Sequence, residues 1–298
     1  MGLVFYYLLV FLSGLFFGSF YNLVSDRVIK GKSIVFGGSN CEYCGARLKL
    51  KDLIPLISFA KTRGHCSYCG KKLSWVYPIS ELMTGSAFVL AMHLSKFFEI
   101  TQVANVVYFV YLIIVFSFYI ILFLSDSKYY LIPDKVVFPA ITFVLLYKLS
   151  SVSYYVFIIR KGLMQNPLGK YLSQTGYIRT QLVWLLKSLG LDILSAICIG
   201  LFFVSLIYLS RWIFHKEGMG GGDVTLGILV GLVNEFPKNV LAIFLGFVFG
   251  SLFSLVLVGL KRKSIKDHIP FGPFLILGSL TAITFGDTIL WWYLNILR

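Results

Sequence analysis

The chain has 298 residues, 58% of them hydrophobic and only 13% charged, and its mean hydropathy of +0.83 lies far above that of soluble domains. That balance excludes an ordinary water-soluble enzyme and indicates an all-α polytopic membrane protein. The formal net charge of +14 would suit a nucleic-acid binder, but in a multi-span chain a basic excess more often marks Lys and Arg held on the cytoplasmic side, so no nucleic-acid partner is expected.

A bilayer core takes about 20 helical residues to cross, and apolar runs of that kind fall near 3–24, 79–97, 104–125, 135–152, 190–213, 223–236, 239–260 and 272–294. About eight transmembrane helices are therefore expected. The first run, VFYYLLVFLSGLFFGSFYNLV, has no basic leader region and no convincing cleavage site, so 1–24 is read as a retained helix. No span shows a G-x-x-x-G dimer seam strong enough to argue from.

Residues 25–78 are the long stretch able to fold in water, and they hold four of the five cysteines, as CEYC (Cys41, Cys44) and CSYC (Cys66, Cys69) with 21 residues between. A two-residue spacer lets both sulfurs of a turn face one ion, and Gly45 and Gly70 ease the turns, so the pattern predicts a small zinc-ribbon-like insert whose four thiolates close the sphere of a structural Zn2+. Paired disulfides suit a reducing compartment poorly, and no β-α-β pattern surrounds either knuckle to support a redox pair. A staple also suits a segment with little core of its own. Nearby His65 is expected to be a solvated neighbour and Cys198 a small apolar residue within a span.

With an outside N-terminus, the cytoplasmic segments hold 18 of the 27 Lys and Arg: ten in 25–78, then Lys128, Lys135, Arg211, Lys216, Lys261, Arg262, Lys263 and Lys266. The positive-inside rule supports that orientation. Against it runs 153–189, an extracellular or interfacial insert that nevertheless carries Arg160, Lys161, Lys170, Arg179 and Lys187.

The chain has just 13 acidic residues, so each can be weighed. Glu42, Asp52, Glu99, Asp192, Glu217 and Glu235 fall in loops or at predicted ends, where solvation is the default. Asp126 ends the long apolar run of span three, and a carboxylate at that depth is a functional hypothesis by default. Ile132-Pro133 breaks the helix beyond it, and Asp134 reads as an N-cap for span four. Asp223 follows a run of glycines at the head of span six, where Gly220 and Gly222 allow close approach of a substrate backbone and the helix N-terminus favours a negative charge. A phosphate-cradling loop is excluded by the missing GK[ST] lysine. Asp126 and Asp223 lie on the same side in this topology, and two carboxylates sharing a site split into an acid and a base, the pair that peptide hydrolysis needs. Asp134, Glu81 and Asp267 are the rival carboxylates.

These segments together resemble the type IV prepilin peptidases. GSFYNLVSDR (18–27), the two CxxC knuckles, RGHCSYCGKKLSWVYPISELMTG (63–85), DSKYYLIPD (126–134), GGGD (220–223) and IPFGPFLILG (269–278) match the family's segments in order along nearly the whole chain. The resemblance implies a membrane aspartic endopeptidase with Asp126 and Asp223 as its catalytic pair, cutting the basic leader from prepilins or pseudopilins at the cytoplasmic face of the cell membrane. Many members also methylate the new N-terminal amine from S-adenosylmethionine, and Glu81 is the candidate to contact that amine. Thr225 stands where many members carry Lys, and 153–189 has no counterpart. The expected organisation is a first helix (1–24), the metal-binding insert (25–78) and a transmembrane GxGD peptidase domain (79–298). A GxGD protease of other membrane substrates, or a non-enzymatic metal-binding scaffold, are the alternative readings; pilus assembly, secretion and DNA uptake are equally open as pathways.

Overall fold

The computed structural model describes residues 2–97, 103–165, 167–215, 219–261 and 269–296, and contains helices and turns but no strand among them. Glu99, Lys216, Glu217, Gly218, Arg262, Lys263, Lys266 and Asp267 lie outside the described residues. The chain divides into two compact units, Met1–Val136 and Val137–Arg298.

In the first unit α1 (Gly2–Ile29) packs against α3 (Val76–Leu94) and α4 (Val103–Tyr129), and the insert between α1 and α3 contains a short α2 (Ile57–Lys61). Gly31 ends α1 at φ +64, with the Lys32 N–H turning back to the Arg27 carbonyl at 2.8 Å, the left-handed glycine stop that satisfies the last carbonyls of a helix. Arg27 then organises the loop that follows, since its guanidinium donates to the carbonyls of Ser33, Ile34, Phe36, Gly37 and Gly38. The core of the unit is aromatic and aliphatic, with Phe88, Leu112, Phe116, Tyr119 and Leu122 all fully buried.

The second unit is built mainly from α5 (Asp134–Leu163), α6 (Pro167–Gln174), α7 (Tyr177–Phe214), α8 (Gly221–Val233), α9 (Lys238–Gly259) and α10 (Gly272–Ile296). All eight predicted spans coincide with helices. Six of these, α1, α4, α5, α7, α9 and α10, are long and apolar enough to cross a membrane, so this is a multi-pass membrane protein. The apolar α8 has 13 residues, fewer than a full crossing requires. The segment 153–189 is helical almost throughout: it comprises the end of α5, all of α6 and the start of α7, with Gly176 at φ +85 turning the chain between the last two. At 38 residues, α7 is about 57 Å long, well beyond the hydrocarbon thickness of a bilayer.

Small residues let these helices touch within the chain. A Cβ on Gly14 would come within 2.7 Å of the Gly85 backbone, and one on Gly18 within 2.7 Å of the Glu81 Cα. Gly14-x-x-x-Gly18 is thus the face by which α1 meets α3. Likewise Gly227 and Gly231 on α8 lie against Phe203 and Ala196 of α7, and Gly278 of α10 lies against Ala242 and Gly246 of α9. In a membrane such seams replace the hydrophobic drive that water supplies elsewhere, because close backbones gain dispersion contact. These seams join helices of one chain, a use of small residues distinct from a dimer seam.

Candidate functional site

The two knuckles fold alike. Cys41 donates its N–H to Ala46 and accepts from Gly45, and Cys66 does the same with Lys71 and Gly70; Gly45 and Gly70 both stand near φ +69 and +68, a conformation that favours glycine. Single antiparallel bridges, Asn40 with Arg47 and His65 with Lys72, close the turns. The four Sγ atoms lie within 4.8 Å of one another, Cys41 and Cys69 being 4.0 Å apart, and all four are free of disulfides. Thiolates 2.3 Å from a tetrahedral ion stand roughly 3.8 Å apart, so the cluster fits one metal ion. Hydrogen bonds from the Cys44 backbone hold the Cys41 thiol down to about 7. At Cys69 the Lys71 backbone bond pulls the same way, but burial and the neighbouring thiols outweigh it and raise the thiol to about 11. His65 is exposed and turned to the Arg63 carbonyl, and Cys198 sits on an outer face of α7.

Asp126 lies in the last turn of α4, 5% exposed and three residues inside the helix end. Tyr130, at φ +55, donates its N–H to the Asp126 carbonyl and ends the helix before Pro133. Two residues on, Lys128 Nζ donates to Asp26 Oδ1 at 2.9 Å, and the Tyr129 hydroxyl donates to the same oxygen at 3.1 Å. Asp26, from the GSFYNLVSDR segment, thereby ties the end of α4 to α1. Asp134 opens α5 and is exposed.

Asp223 belongs to the second unit. It is the third residue of α8 rather than its N-cap, and its Oδ2 accepts the N–H of the capping residue Gly220 at 3.1 Å. Gly220 meets nothing closer than Asp223 Oδ2 at 3.9 Å, and the space beside Gly221 is open. The Thr225 hydroxyl folds back to donate to the Gly222 carbonyl at 2.9 Å, which occupies it within its own helix turn.

Two further features escaped the sequence reading. The first is a cavity of about 650 Å³ in the first unit, bounded by the end of α1, the cysteine insert and the head of α3. Glu81, 7% exposed, accepts the Leu56 N–H at 2.8 Å on its wall. The second is an ion pair in the second unit. Asp192, expected in a solvated position, is 5% exposed within α7; its Oδ2 accepts from Lys148 Nζ at 2.7 Å and its Oδ1 from the Phe236 N–H at 2.9 Å. Glu235 stands 3.8 Å from the same lysine. A lysine inside an apolar span was the available signal.

The family described as Bacterial Peptidase A24 N-terminal domain matches residues 12–95, and the Type IV leader peptidase family matches 113–255. A prepilin leader peptidase/N-methyltransferase of Bacillus subtilis is 27% identical over 289 residues, covering 96% of this chain and 97% of the relative. Proteins of the same description from Pseudomonas aeruginosa and Klebsiella pneumoniae are 26% and 35% identical, over 88% and 48% of this chain and 77% and 61% of theirs. No solved structure gives a significant match. With both matches in chain order, enclosing the cysteine knuckles, DSKYYLIPD and GGGD, the chain belongs to the type IV prepilin peptidase family.

Proposed function

We propose that this protein is a membrane aspartic endopeptidase that removes the basic leader of prepilins or pseudopilins at the cytoplasmic face of the cell membrane and methylates the amine it exposes. The observation that carries the reading is a carboxylate, Asp126, 5% exposed at the end of an apolar helix in a segment matched by the leader peptidase family; ionisable groups at such depth are retained for function. Asp223, capping the head of α8 beside open glycine backbone, is its partner. One of the pair takes a proton from water as that water attacks the scissile carbonyl, and the other donates a proton to the carbonyl oxygen; the departing amine is then protonated in turn. Gly220 and Gly222 leave room for the substrate backbone to pass Asp223. The polar insert, rich in Lys and Arg, faces the cytoplasm, and a structural Zn2+ held by Cys41, Cys44, Cys66 and Cys69 fits its sulfur cluster. S-adenosylmethionine supplies the methyl group of the second reaction.

Asp126→Asn and Asp223→Asn are each expected to lower cleavage of a co-expressed prepilin by roughly 10²–10⁴-fold, with the proteins still inserted. Wild-type-like cleavage by both variants would remove the dyad assignment. An unrelated single-span protein should remain uncut in the same cells; its efficient cleavage would point to a broader intramembrane protease. The mass of the product N-terminus reports methylation.

A further inference from the structure

We propose that the loop 33–38 docks on the membrane surface, seating Val35 and Phe36 at the level of the lipid headgroups while Lys30, Lys32 and Arg47 engage anionic lipid. The leaflet is the one at which α1 ends, the cytoplasmic one on the orientation given above. The docking itself needs neither that orientation nor the cleavage reaction.

The position of the loop follows from α1. Its apolar run Leu3–Ile29 has 27 residues and rises about 40 Å, close to the thickness of a bilayer with its headgroups. Arg27, in the last turn, therefore stands at headgroup level. Its guanidinium donates to the Ser33, Ile34 and Phe36 carbonyls at 3.0, 3.1 and 3.3 Å and to those of Gly37 and Gly38, so the loop lies no farther from the helix end than one arginine side chain reaches. A second marker agrees. Gly14 of α1 lies against Gly85 of α3, and Gly18 against Glu81, so the two helices are antiparallel. Trp75, at the head of α3 and 62% exposed, consequently stands near the level of the last turns of α1, and tryptophan concentrates at that depth in membrane proteins.

What the loop presents is apolar. Val35 and Phe36 are 82% and 81% exposed, which is unfavourable in water. The Phe36 N–H donates to Ser33 Oγ at 3.1 Å, and together with the Arg27 bonds this fixes the backbone, so little order has to be gained on docking. Cations flank the tip. Lys30 and Lys32 precede it and are exposed, and exposed Arg47 lies so close that a Cβ on Gly38 would come within 2.8 Å of its Nε. Glu42, 3.9 Å from Lys30, is the acidic neighbour. An apolar tip flanked by Lys and Arg matches an anionic leaflet, whose surface potential draws the basic groups and whose interface takes up the apolar ones. The leader proposed above as substrate is itself basic and does not match these cations.

The test uses full-length protein, one copy per nanodisc, in brominated phosphatidylcholine with or without about 30% phosphatidylglycerol. Phe36→Trp puts an emitter at the tip, and the wild-type fluorescence is subtracted. Quenching of the added emission by the brominated chains is expected to be at least about twofold stronger with phosphatidylglycerol, and to fall back in about 1 M NaCl, where the Debye length is roughly 3 Å. Adding Lys30→Gln and Lys32→Gln should remove the part that depends on phosphatidylglycerol, with the thermal midpoint reporting an intact fold. The discs are symmetrical, so sidedness does not enter, and prepilin cleavage by the same samples reports the proposed function separately. Added emission that brominated chains quench in neither lipid would overturn the docking and place Phe36 over the cavity it also borders. Quenching that is equal with and without phosphatidylglycerol, and unmoved by salt, would overturn the anionic lipid as partner.

Discussion

Four thiols held within 4.8 Å of one another repel as thiolates unless a cation sits among them, so each ligand of the cluster depends on the other three. Cys66→Ser is expected to lower bound metal at least about tenfold and to speed amide exchange across 39–73, the stretch whose backbone bonds close the two turns. Metal analysis and hydrogen exchange on the purified protein measure both; full occupancy in the variant would show that the sulfurs are not the ligands. At this scale the sequence is informative where the chemistry is local. A C-x-x-C turn carries its geometry in a few residues, and a DSKYYLIPD or GGGD segment marks its carboxylate by neighbours alone. Glu81 could be named, but not the cavity it borders, because that cavity is closed by the insert and by α1 from Ser19 onward, 62 positions before it. Asn22 falls within the GSFYNLVSDR segment, but that its amide oxygen is unpaired is a property of packing that a sequence does not carry.

Helix ends were the least legible feature. Asp192 looked like a residue at the rim of a span, yet α7 begins fifteen residues before it and buries it against Lys148 of α5. The pair joins α5 and α7 to the turn after α8, through the Phe236 N–H that Asp192 also accepts. Both side chains are under a tenth exposed, so removing one partner leaves the other charge stranded. Asp192→Asn is expected to destabilise the protein by about 3–5 kcal/mol, read as a lowered unfolding midpoint in detergent. The double replacement Lys148→Leu with Asp192→Leu should recover part of that loss, because it removes both charges from a low-dielectric site. A single variant as stable as wild type would mean that water reaches the pair freely. The same element explains why 153–189 could not be placed from charge alone: its basic residues ride on continuations of α5 and α7 and on α6, and charge says nothing about how far a helix runs past a membrane.

For the whole molecule, hydropathy gave the class and located every long helix, because apolar runs dominate so heavily. It did not distinguish a crossing helix from one too short to cross. Nor did it expose the glycine faces, whose meaning lies in what stands opposite: Gly18 is informative once Glu81 and Thr84 are seen against it. The 13 residues of α8 span about 20 Å, whereas the hydrocarbon core is about 30 Å thick. A helix with that deficit must be met by thinned lipid or by water at one of its ends, and Asp223 sits at the first. Leader cleavage is therefore expected to depend on the lipid tails themselves, falling several-fold as nanodiscs are made with longer acyl chains that bury the carboxylate deeper. Rates that ignore tail length would mean that neighbouring helices shield α8 from the bilayer entirely. On this view the membrane is a component of the active site, and its thickness sets how readily water reaches the bond to be cut.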